Sequence, residues 1–301
     1  MTAATPGAGG AVYDRGYRPY EGARGGRSAA TLALYRASMR RAVGLRRTWK
    51  QKLVPFVLLG VVTIPAIVNV GIGYVTRNSV ADAFEIITYR DYVGVSAALL
   101  LFVALVAPDV ICPDRRHHVL PLMFALPMTG RDYVVAKVGA IATILFLFSF
   151  LPQVLLFVGN TLVSDDALDY VSGHLDVLWK VPVSIALLSI YYAVIGLAIA
   201  SLTDRRIVAG AAVIGLFLVT SITSGILVNA DTGFDRGSPA ALINVLALPL
   251  HLRDLVFLGH IDRSSPLGGV SNGGVLATAE FTAILLLGMA VLLRRYRWVE
   301  R

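Results

Sequence analysis

Apolar residues in this chain fall in long blocks, and that pattern constrains the fold more than any other feature of the sequence. Six blocks, at 53–75, 92–111, 134–158, 181–202, 207–229 and 275–293, run from 19 to 25 residues. Each matches the roughly 20 residues a helix needs to cross a bilayer core. In hydrocarbon the backbone must satisfy its own hydrogen bonds, so such blocks read as helices. Charged residues make up only 15% of the 301, against about 25% in soluble domains, and the mean hydropathy is +0.71. The sequence therefore predicts an all-α polytopic membrane protein with six transmembrane helices.

The net charge of +8 points first to nucleic acid. The basic residues, however, flank the apolar blocks instead of forming a separate basic face, so no nucleic-acid partner is expected. Lys and Arg are retained on the cytoplasmic side of a membrane. With the N-terminus inside, 21 of the 27 basic residues lie in inner segments, and the outer loops hold Asp82, Glu85, Asp165, Asp166, Asp231, Asp254 and Asp262 among their acids. This partition predicts an integral protein of the cytoplasmic (plasma) membrane with both termini cytoplasmic. The lone Cys112 leaves no internal disulfide to form.

Residues 1–28 are Gly-rich, small and basic, a composition that predicts a disordered cytoplasmic tail. From 29 to 52, Leu32, Tyr35, Met39 and Trp49 recur at helical spacing while Arg36, Arg40 and Arg47 occupy another face. That pattern predicts an amphipathic helix lying in the membrane interface, its basic side toward anionic headgroups. Beyond the fifth block, the uncharged run 237–252 contains Pro249 and is too short to cross. A re-entrant or interfacial outer segment before the last span is expected there. Gly196 with Ala200, and Ala211 with Gly215, give spacings that permit close packing of the fourth and fifth spans.

No phosphate-binding loop, HExxH, GxSxG or paired CxxC motif is present. Cys112, Asp114, His117 and His118 offer metal-ligand chemistry in one loop, but adjacent histidines point apart in regular structure and the segment reads as solvated instead of metal-binding. His174, His251 and His260 read as surface residues of outer loops. Glu280 is the most suggestive intramembrane polar residue and a candidate for a transport pathway, or else a helix-end carboxylate at the headgroups.

The most informative segment runs from Pro108 to Lys137. Its apolar stretch, with Leu122, Phe124, Leu126 and Met128, is short, broken by Pro121 and Pro127, and flanked by Asp114, Arg115, Arg116, Arg131 and Asp132. It cannot span, and exposed apolar residues in such a place seek a partner's groove or their own bundle. At Asp114, Arg115, Leu122, Leu126, Pro127, Arg131, Tyr133 and Lys137 the segment resembles the coupling loop of the permease subunits of type-2 ABC (ATP-binding cassette) exporters. His117, His118 and Val119 stand where that family commonly has Gly-Thr.

The resemblance extends to the layout of 29–301: an elbow helix, six spans and an outer re-entrant pair. It implies a permease that dimerises with itself or a second permease and pairs with two separate ATPase subunits. ATP and Mg would sit on those partners, with no cofactor in this chain, and this chain itself would be no enzyme. Asp114, Arg115, Leu122, Phe124, Leu126, Pro127 and Arg131 would then form the ATPase-coupling loop. The alternative from the residues alone is a polytopic protein without an ATPase, a channel-like subunit or an intramembrane enzyme using Glu280 or the His-rich loop.

Overall fold

The computed structural model describes residues 25–44, 49–76, 88–93, 96–231 and 237–297. Among them every regular element is helical. The predicted tail lies outside the described residues except for its last four. Helix α1 spans Arg27–Ala42, α2 Trp49–Thr76, α3 Tyr89–Tyr92, α4 Ser96–Arg116, α5 Leu120–Phe124 and α6 Gly130–Val163. They are followed by α7 at Ala167–Gly173, α8 at Val177–Ala200, α9 at Arg206–Asp231, α10 at Leu248–Leu258 and α11 at Gly273–Arg297.

Five stretches are long and apolar enough to cross a membrane by length and composition: Phe56–Val75 of α2, α6, α8, Arg206–Ala230 of α9, and α11. The described residues are thus all-helical, of the polytopic membrane kind. Of the block at 92–111, residues 96–111 fall on α4, which is not among the five, while Tyr92 closes α3. Helix α4 runs on past the apolar block to Arg116 and carries Asp109, Asp114, Arg115 and Arg116 toward its end.

Helix α8 is the centre of the bundle. It is apolar on every side, and such a helix is stable only when neighbours surround it; α4, α6, α9, α10 and α11 do so. The outer helices instead turn apolar side chains away from the protein, including Phe56, Ile64 and Ile67 of α2, Ile222 and Ile226 of α9, and Leu286 and Leu287 of α11. That much contiguous apolar surface suits lipid contact, not water.

Close packing uses small residues, between α8 and α4 as well as the expected pair α8 and α9. A Cβ on Gly196 would overlap Val103 of α4, with Ala107 at 3.2 Å, whereas one on Gly215 would meet nothing within 4 Å. Ala200 is buried with Cys112 of α4 and Ala209 of α9. The spacing marked real contact positions, but on α8 they serve α4 as much as α9.

The amphipathic segment predicted at 29–52 is two pieces. Helix α1 ends at Ala42, Gly44 takes a left-handed φ of 76°, and Trp49 opens α2. Helix α1 packs along α6: the Tyr35 hydroxyl donates to Thr143 Oγ1 at 2.9 Å, Met39 packs on the core, and Leu32 is exposed.

Two ends of the bundle can be distinguished. At one, the end of α4 meets the starts of α6 and α9 and the close of α11. At the other, Arg253 of α10 donates to the carbonyls of Arg90 and Val93 at 3.0 and 3.1 Å and pairs with Asp254 at 2.8 Å, while Arg90 pairs with Asp262 at 2.7 Å. Arg253, Asp254 and His251 are buried there, contrary to the solvated outer loop expected; α10 turns them into the bundle.

Between α9 and α10, a 3-10 helix at Pro239–Ile243 and the turn after it fold against mid-bundle positions. Tyr191 and Tyr192, well inside α8, donate to the carbonyls of Val245 and Leu246 at 2.9 and 2.8 Å. Ser221 of α9 bonds Asn244 at 2.8 Å, and Ser224 donates to Ala240 O at 2.9 Å. Buried irregular backbone needs such partners, and two adjacent tyrosines supply them.

Candidate functional site

The loop joining α4 to α6 carries its apolar residues on two faces. Leu120 and Met128 are buried and tie its ends to the bundle. Helix α5 has only five residues, with Pro121 in its first turn. Positions four apart share a helix face, so Phe124 follows Leu120 inward, half-buried, its ring edge-on to Tyr133 at 6.1 Å. Leu122 and Leu126 point out, 73% and 54% exposed, and Pro127 and Arg131 are exposed beside them. Of the three apolar residues expected to dock a partner, two are presented and Phe124 packs on its own bundle.

Directly beneath lies a buried ion cluster. Helix α4 continues past the apolar block, so Asp114 is not in a solvated loop but only 1% exposed. Lys137, seven residues into α6, is 2% exposed and donates to Asp114 Oδ2 at 2.6 Å and to Val110 O at 3.0 Å. Arg41, near the end of α1, reaches Asp114 Oδ1 at 2.5 Å, and the Tyr133 hydroxyl donates to Oδ2 at 3.0 Å. Burial alone opposes a charge on Asp114, and Lys137 and Arg41 supply the compensating positive charge.

Local sequence explains the alignment. Thr129 and Asp132 form a reciprocal capping box that starts α6 at Gly130. The same Asp132 pairs with Arg27 at 2.6 Å, docking the start of α1. Tyr296, near the end of α11, packs its ring against Tyr133 in a tilted arrangement with ring centroids 4.7 Å apart. Arg115 bonds the Ser201 carbonyl and pairs with Asp204 at 2.8 Å, joining α4 to the turn between α8 and α9. One short loop therefore sits on groups belonging to α1, α4, α6 and α11, and neighbours the α8–α9 turn. Phe124 and Tyr133 connect the loop to these helices through the Asp114 carboxylate and the Tyr296 ring.

The sequence pattern holds Asp114 and Arg115 together with Tyr133 and Lys137, two of the three partners of Asp114. Arg41, Asp204 and Tyr296 went unnoticed, because one arginine among many at a membrane flank looks like a topology signal. The suggested metal ligands do not converge: the Cys112 thiol points at the carbonyls of Ala200 and Thr203, Asp114 faces Lys137, and His117 and His118 are exposed. Among the described residues no three His, Cys, Asp or Glu side chains come together as metal ligands. Trp49 starts α2, and its side chain lies outside what is described. Glu280 is half-buried on α11, with no hydrogen-bond or ion-pair partner among the described residues. Set against known families and curated proteins, the chain matches no family model and no curated sequence.

Proposed function

We propose that this chain is the membrane-spanning permease subunit of an ATP-driven exporter of the type-2 ABC kind, working as a dimer with two ATPase subunits that carry ATP and Mg. The observation that carries the reading is the α5 loop: Leu122 on the short helix and Leu126 just beyond its end stand exposed above the buried Lys137–Asp114 pair. A loop that served only to connect α4 and α6 has no need of two outward leucines on so stiff a support.

In this reading α4 is the remaining span, and the loop end faces the cytoplasm, as the charge partition supports. The 3-10 helix and α10 form an outer re-entrant pair, supported by the tyrosine bonds to Val245 and Leu246 well inside α8. Glu280, half-buried without an ion-pair partner, favours the second reading, a polytopic protein that moves or transforms its substrate without an ATPase. Reconstitution separates the two. ATP hydrolysis by an ATPase encoded beside this chain should depend on this chain in proteoliposomes. Hydrolysis indifferent to its presence would support the ATPase-independent reading.

A further inference from the structure

A cleft of about 810 Å³ opens at the loop end of the bundle, between the last turns of α4 and the start of α9. Its two carboxylates are already matched: Arg206 pairs with Asp109 at 2.8 Å, and Asp204 pairs with Arg115 at 2.8 Å. Arg116, His117 and Arg205 also line it, exposed and without an ion-pair partner among the described residues. The cleft thus carries an uncompensated excess of positive charge. Retention of basic residues on one side of a membrane explains their presence at this end. It does not explain their convergence on a cavity.

The edge of the same cleft is apolar. Ile207 is 82% exposed and Val208 is half-exposed in the first turn of α9, at the start of a membrane-crossing stretch. Cations above and aliphatic side chains below reproduce the polarity of a phospholipid at the headgroup boundary. Guanidinium groups bond phosphate oxygens in pairs, a geometry a lone ammonium lacks. We propose that the cleft binds an anionic phospholipid, with Arg116 and Arg205 donating to its phosphate and an acyl chain running past Ile207 and Val208. The site rests on the membrane embedding of the chain and not on its pairing with an ATPase.

The test uses the full chain purified in mild detergent and supplied with phosphatidylglycerol, phosphatidylcholine or inorganic phosphate. Native mass spectrometry reads retained lipid, and thermal melting reads stabilisation. Wild type should retain phosphatidylglycerol and melt higher with it, with neither effect from phosphatidylcholine or inorganic phosphate. Arg116→Gln with Arg205→Gln should retain about tenfold less phosphatidylglycerol while melting unchanged without lipid, as befits exposed residues with no ion-pair partner. Arg294→Gln with Arg295→Gln removes the same charge from exposed positions at the same end and should retain lipid like wild type. Equal retention by wild type and the Arg116, Arg205 pair overturns the site, as does equal loss in both pairs. Stabilisation by inorganic phosphate equal to that by phosphatidylglycerol overturns the lipid as ligand. A wild type that retains no phosphatidylglycerol overturns the site as well.

Discussion

Lys137 Nζ lies 2.6 Å from Asp114 Oδ2, with both side chains almost wholly removed from solvent. Removing one partner of such a pair strands the other as a buried charge, which costs about 3–5 kcal/mol, more than the intact pair contributes over an apolar replacement. Lys137→Met should therefore lower the melting temperature and folded yield sharply. Lys137→Met with Asp114→Leu should recover much of the loss, although Arg41 then lacks its acceptor. A double variant as unstable as the sum of the two single variants would show that the residues act independently.

At the opposite end, Asp262 accepts from the backbone N–H and hydroxyl of Ser264, each at 2.8 Å, and pairs with Arg90 at 2.7 Å. These donors, Ser264 first, bring its carboxyl down to about 2. A folded pKa below the unfolded one means that protonation favours the unfolded chain. The contribution is complete above the ordinary carboxyl pKa of about 4 and is lost as pH falls toward about 2. The melting deficit of Asp262→Asn should be constant from about pH 5 to 8 and shrink from about pH 4 downward. A deficit of the same size throughout would remove ionisation as its cause.

Helix existence was legible because long apolar blocks admit few alternatives. What the blocks did not reveal was where a helix continues after its apolar part ends. Helix α4 passes through Asp114 to Arg116 because Lys137, Arg41 and Tyr133, distant in sequence, satisfy that carboxylate. The surface position expected of His251 and the outer-loop position expected of Asp254 fail for the same reason: a polar residue beyond an apolar block carries no local sign that another helix will cover it. Leu122 and Phe124 look alike in sequence, and only the placement of Tyr133 separates the exposed one from the packed one.

Cys112 is buried against Ala200 and Ala209, so an aqueous thiol reagent should leave it unlabelled in the folded protein and modify it on denaturation. That quiet background suits topology mapping. Cysteines placed at the exposed positions Ser172 and Ser264 should react with an impermeant reagent on intact cells, and one at His117 only after permeabilisation. Labelling of the His117 position from outside would invert the orientation.

Gly196 meets Val103 with no room for a side chain. Gly196→Leu should cost at least about 1–3 kcal/mol through overpacking and lower the folded yield, with partial rescue by Val103→Ala. A variant of normal melting temperature and yield would show that α4 and α8 can move apart freely.

Whether an ATPase sits on Leu122 and Leu126 decides the functional reading. Burying each leucine against a partner is worth about 1.5–3 kcal/mol, so removing both should weaken association about a hundredfold or more. Phe124→Ala should instead act mainly on stability, because Phe124 packs against Tyr133. The decisive measurement is recovery of the co-expressed ATPase with wild type and with Leu122→Ala plus Leu126→Ala, at matched levels of folded permease. Recovery with wild type and its loss in the double variant is the expected result; equal recovery from both, or none from wild type, contradicts docking at this loop.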